Sequence, residues 1–114
     1  MGTGCPACAE YGFNPDQPAI VYYFRIPDHR GGFAYKIGIT NRTVRERFGG
    51  DYQRLTVLKV WSFRTGAKAY AFEQSILQQY GSQRFRGPRL LRTAGNAEIF
   101  ASDVLGLDTR RRAA

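Results

Sequence analysis

From Ala19 to Ile26 the chain alternates with a period of two. Ile20, Tyr22, Phe24 and Ile26 share one parity; Val21, Tyr23 and Arg25 share the other. That is the pattern of a β-strand. Pro27-Asp28-His29-Arg30-Gly31-Gly32 then interrupts it with turn-forming residues, because glycine tolerates positive φ and proline locks φ at a negative value suited to turns. Phe33 to Ile39 reads as a second short strand. The brief connection makes the two runs an antiparallel hairpin.

The remainder changes period. Thr40 or Asn41 is placed to cap a short helix running to about Phe48, where Gly49-Gly50 stops it. Val44 and Phe48, four apart, fall on one face of that helix. Leu55 to Phe63 alternates again, with Val57, Lys59 and Trp61 against Leu58, Val60 and Ser62. Ala67 to Tyr80 carries the longest helical stripe, Ala69, Phe72, Ile76, Leu77 and Tyr80, and Gly81 ends it. Gln83 to Arg92 reads as a loop, and the stretch from Gly95 to Leu107 as a short closing strand or a turn of helix. The order ββαβα predicts an α+β domain built on a small three-stranded antiparallel sheet flanked by helices. A length of 114 residues accommodates one such domain. Its expected limits are 19–108, after an irregular Gly/Pro/Cys-rich leader over 1–18 and before a disordered basic tail over 109–114.

Charge narrows the partners. Lys and Arg number 17 against 9 Asp and Glu, for a formal charge of +8, and fourteen of the seventeen cations are arginine. Arginine makes planar paired contacts to phosphate, so a polyanionic partner, nucleic acid above all, is expected. A basic domain without that role is the plain alternative. No apolar run approaches the roughly 20 residues of a membrane helix, and no secretory signal opens the chain, so a cytoplasmic, membrane-free setting is expected. Cys5 and Cys8 form a Cys-x-x-Cys pair, half of a four-ligand zinc site. With His29 the single histidine, the pair reads as one knuckle of a ribbon, as ligands to zinc shared between chains, or as unligated thiols.

Common catalytic sets are missing. One histidine and no G-x-S-x-G disfavour Ser-His-Asp hydrolysis, no P-loop is present, and scattered acids disfavour a two-metal nuclease site. One metal on one carboxylate stays feasible, with Arg, Lys and Tyr supplying the rest. Ile20-Val21-Tyr22 followed by Tyr23-Phe24-Arg25 resembles the first hallmark of the GIY-YIG nuclease family, and Tyr35-Lys36-Ile37-Gly38-Ile39-Thr40 resembles the second. Arg47 matches the arginine of the helix that follows, Glu73 the family's metal-binding glutamate, and Asn96 the polar residue of the closing motif. The likeness spans roughly residues 19 to 100 and is nearest to a phage-associated branch with Tyr-Lys-Ile-Gly, in which a Cys-x-x-Cys zinc element often precedes the nuclease. Lys36 stands where the second hallmark has tyrosine. Tyr35 beside it points to the opposite side of a strand.

The resemblance implies single-metal hydrolysis of DNA phosphodiesters, of homing or phage type. Glu73 would hold one Mg²⁺ or Mn²⁺, and Tyr22 would orient or deprotonate the attacking water. An ordinary tyrosine titrates near pH 10, so this requires cations close by, and Arg47 and Lys36 are the candidates. Arg42 and Arg45, with Arg84, Arg86, Arg89 and Arg92, are the candidate contacts to the DNA backbone, with Phe85 available for packing or stacking. Transient homodimers would permit cutting of both strands. Two rivals remain at this level: a catalytically silent nucleic-acid-binding module of the same fold, and a zinc-mediated interaction protein.

Overall fold

The computed structural model describes residues 13–85, 87, 89–91 and 98–108. Cys5, Cys8, Arg86, Arg92, Asn96 and the 109–114 tail lie outside the described residues. The elements are β1 (Ala19–Pro27), β2 (Phe33–Thr40), α1 (Val44–Phe48), a 3-10 turn (Gly49–Arg54), β3 (Thr56–Phe63), α2 (Gly66–Tyr80), a second 3-10 turn (Gly81–Gln83) and β4 (Ile99–Phe100). The α+β class and the antiparallel sheet are as expected, but the sheet has four strands in the order β3-β1-β2-β4. The fourth is two residues long and pairs Tyr35 with Phe100 and Lys36 with Ile99. Among the described residues no helix is long and apolar enough to cross a membrane.

β1 lies between β2 and β3, and both of its parities are buried. On one side Tyr22, Phe24 and Ile26 meet Val44 and Phe48 of α1, with Leu90, Leu91 and Ile99. Phe48 stands edge-on to Tyr22 and Phe24, its ring centroid 5.4 and 5.1 Å from theirs, an orientation that brings ring edge to ring face. On the other side Val21 and Tyr23, with Tyr35 and Ile37 of β2, meet Ala69, Ile76 and Leu77 of α2.

Three local features differ from expectation. The cap of α1 is Thr43, whose hydroxyl accepts from the Glu46 amide while Glu46 accepts from the Thr43 amide, a reciprocal capping box. Asn41 instead holds the segment before β1: its amide donates to the carbonyls of Asn14 and Pro18 at 3.0 and 2.9 Å. In β3 the alternation breaks at a bulge opposite Tyr23 and Phe24. Val57 therefore joins the α1 side whereas Trp61 joins the α2 side, because an inserted residue shifts the pleat by one.

The segment after β4 fastens itself to the α2 side of the sheet. Asp108 accepts from Arg25 at 2.8 Å and from the Tyr35 hydroxyl at 2.7 Å, one carboxylate oxygen each, with all three groups buried. Asp103 accepts from the Tyr23 hydroxyl at 2.7 Å and from the amides of Leu107 and Asp108. Burial, reinforced by Asp103, pushes the Tyr23 phenol far above its ordinary range. Stripping one member from a buried ion pair costs about 3–5 kcal/mol. Asp108→Ala is expected to lower unfolding free energy by about that much, read as an earlier urea midpoint at unchanged slope. A loss within error of wild type would show that the contact carries no stability.

Candidate functional site

Residues directly opposite in antiparallel strands share a side of the sheet. Tyr22 faces Gly38 and Phe24 faces Lys36, so Tyr22 and Lys36 lie on the α1 side together. A Cβ on Gly38 would stand 2.3 Å from the Tyr22 hydroxyl oxygen and 2.5 Å from the carbon that bears it. Only a glycine lets the phenol lie flat across β2. Tyr35 goes to the opposite side and spends its hydroxyl on Asp108, as the strand argument requires.

Lys36 is 1% exposed. Its ammonium donates to Glu98 at 3.0 Å, and the Glu98 carbonyl accepts from the Ile37 amide at 3.3 Å, which fixes Glu98 beside β2. Burial pulls the Lys36 ammonium below its usual range; Glu98 and Glu73 pull it back up, and Arg47 pushes the same way as burial.

Glu73 sits on the stripe that α2 turns inward, four residues after Ala69 and four before Leu77, the spacing of one helix face. A lone helical glutamate is ordinarily a solvated residue, yet this one is 4% exposed. Burial, then the Glu98 charge, pushes its carboxyl up to about 7, against the opposing influence of a 3.1 Å hydrogen bond from Gln74 and of Lys36. Arg47 is half-buried on α1, 5.0 Å over the ring of Phe48, which in turn abuts Tyr22.

Thus Glu98, Glu73 and Arg47 all act on the charge of Lys36, Glu98 and Lys36 act on that of Glu73, and the Tyr22 phenol lies on the side of the sheet occupied by Lys36. Glu98 is the member that reading the sequence missed. No local signal marks it, because its partner Lys36 lies 62 positions away. Of the candidate arginines, Arg42 just before α1 and Arg45 on it are exposed and flank an open groove of about 370 Å³ with Ile20, Val57 and Val60. Arg45 lies 5.8 Å over the Tyr52 ring. Arg84 is half-buried, and Arg89 donates through Nε to the Leu91 carbonyl at 2.8 Å.

Among the described residues no three His, Cys, Asp or Glu side chains gather in one place. The oxygen donors at hand are the two glutamates. Mg²⁺ characteristically takes one or two protein carboxylates and completes its shell with water and phosphate oxygens, so the donor set is of a suitable kind.

Over 45 residues, 40% of its length, the chain is 47% identical to a protein of Escherichia phage T5 named "Putative endonuclease". It spans only 18% of that protein. No protein-family model matches the chain, and no solved structure matches it.

The pH dependence of stability follows from Glu73. An unfolded glutamate titrates near its ordinary 4.5 and the folded one near 7. The folded form therefore holds its proton longer. The group's contribution is complete below about pH 4.5 and is lost as pH rises through 7. At 1.36 kcal/mol per pH unit the whole effect is roughly 3 kcal/mol. In chelator-treated protein, urea denaturation at pH 5 and pH 8 should show this fall in wild type. Glu73→Gln should flatten it and be the more stable form at pH 8. Equal curves for the two proteins would contradict the assignment.

Proposed function

We propose that this chain is a metal-dependent DNA endonuclease of the GIY-YIG type. The observation that carries the reading is the set of charges acting on buried Lys36, those of Glu98, Glu73 and Arg47, with Tyr22 laid across Gly38 on the side of the sheet that carries Lys36. The phage protein's name and the formal charge of +8 support it, as does the resemblance through both hallmark strands.

Glu73 and Glu98 would hold one Mg²⁺ or Mn²⁺, which when bound supplies positive charge against the phosphate and the leaving oxygen. Tyr22, as its phenolate, would orient the attacking water and take its proton as the new P–O bond forms and the ester P–O bond breaks, the leaving alkoxide then taking a proton from solvent. Arg47 donates to the phosphate oxygens as their charge grows. The Lys36 ammonium is committed to Glu98 at 3.0 Å. Its part is to anchor Glu98 and keep positive charge beneath Tyr22.

The test is nicking of supercoiled plasmid in Mg²⁺ or Mn²⁺. Wild type should convert it to open circles, and chelator should stop the reaction. Glu73→Gln, Arg47→Ala and Tyr22→Phe should each lower the rate by about 10²-fold or more, the scale of losing one charge-stabilising group, with circular dichroism unchanged. A wild-type protein that binds the plasmid and leaves it intact in both metals would instead be a silent binding module.

A further inference from the structure

Away from that cluster, the β1–β2 turn and the segment after the second 3-10 turn enclose a pocket of about 460 Å³. Its walls are Asp28, Arg30, Arg84, Phe85, Gly87 and Ala101. Both arginines stand on fixed backbone. The turn is closed by the Asp28 amide donating to the Gly32 carbonyl, and by Asp28 Oδ1 accepting from the Arg30 and Gly32 amides at 2.8 and 3.0 Å. Arg84 bridges Phe100 in antiparallel fashion, Phe85 donates to the Ile99 carbonyl at 2.7 Å, and Ala101 donates to the Gln83 carbonyl at 2.9 Å.

The Nε of Arg84 is buried and has no hydrogen-bond partner among the described residues. Leaving a buried donor unmet is costly, more so on a guanidinium, so an acceptor from outside the chain is the natural complement. Two guanidiniums outnumber the single carboxylate, and that carboxylate already serves two amides through Oδ1.

We infer that this pocket seats one phosphate of a nucleic-acid strand, with Arg84 and Arg30 as its donors. The inference rests on the endonuclease reading and deepens it by placing a backbone contact apart from the chemistry. Ala101 on the pocket wall is three residues from Glu98, at most about 10 Å of extended chain. That is on the order of three base-pair steps of duplex axis at about 3.4 Å each. A strand held here therefore reaches the cluster within a few nucleotides.

Binding of a short DNA duplex, followed by fluorescence anisotropy in chelator across a range of salt, tests it. Arg84→Gln and Arg30→Gln should each weaken binding and flatten the plot of log K against log salt by about one, with unchanged melting. The Arg84 Nε–H resonance should shift on adding the duplex. Unchanged slopes in both well-folded variants overturn the inference, as does a resonance that moves with inorganic phosphate and not with DNA. If wild type nicks plasmid while both slopes stay put, the pocket assignment fails alone. If wild type neither binds nor nicks, the endonuclease reading fails with it.

Discussion

Moving an ammonium group from water into a protein interior costs several kcal/mol unless an anion meets it, and Lys36 is met by Glu98 at 3.0 Å. Much of the site's architecture follows from that need. β4 is only two residues long, too short to hold its place by backbone pairing alone. The Lys36–Glu98 pair and the Ile37-to-Glu98 hydrogen bond clamp its entrance against β2. With Glu98 fixed, Glu73 on α2 feels a second negative charge as well as burial. An apolar residue at position 36 would relieve the desolvation but would release Glu98, and with it the second carboxylate of the cluster.

The pleat of the sheet separates the side that carries Lys36 from the side fastened by the segment after β4. Along β1, Tyr22 belongs to the side carrying Lys36, while its neighbour Tyr23 is committed to Asp103. Along β2, Lys36 belongs to the cluster, while Tyr35 is committed to Asp108. Two adjacent aromatic hydroxyls thus have unrelated duties because a single residue step reverses the direction of a side chain. The contact between Tyr22 and Gly38 belongs to the same logic. Removing a Cβ from β2 is what lets a bulky ring lie beside the charged group without lifting the strands apart.

Much of the framework was legible in the chain. The alternation of β1 and β2, the turn residues between them and the long stripe of α2 are local signals, and the structure follows them closely. The capping box of α1 was also written locally, as Thr43 and Glu46, but Asn41 is an equally good capping residue by type. Only its tertiary bonds to Asn14 and Pro18 show where it is used. The bulge in β3 leaves no compositional mark, since Val57, Leu58 and Val60 suit either side. Glu98 and Asp108 were illegible for another reason: each is defined by partners 62 to 83 positions away, and nothing near them in the sequence announces an ion pair. Arg47 and Glu73 were picked out by resemblance, because by residue type alone both would be solvated helix positions.

Asp108 also sets a lower bound on how much chain makes a self-sufficient unit. Among the described residues the last strand ends at Phe100, and a boundary drawn by strands and helices would cut there. Such a fragment would keep the Arg25 guanidinium under the fold with its carboxylate gone, and would strand the Tyr35 hydroxyl beside it. Excised or grafted onto another protein, the piece that satisfies its own interior has to carry the eight irregular residues beyond the last strand.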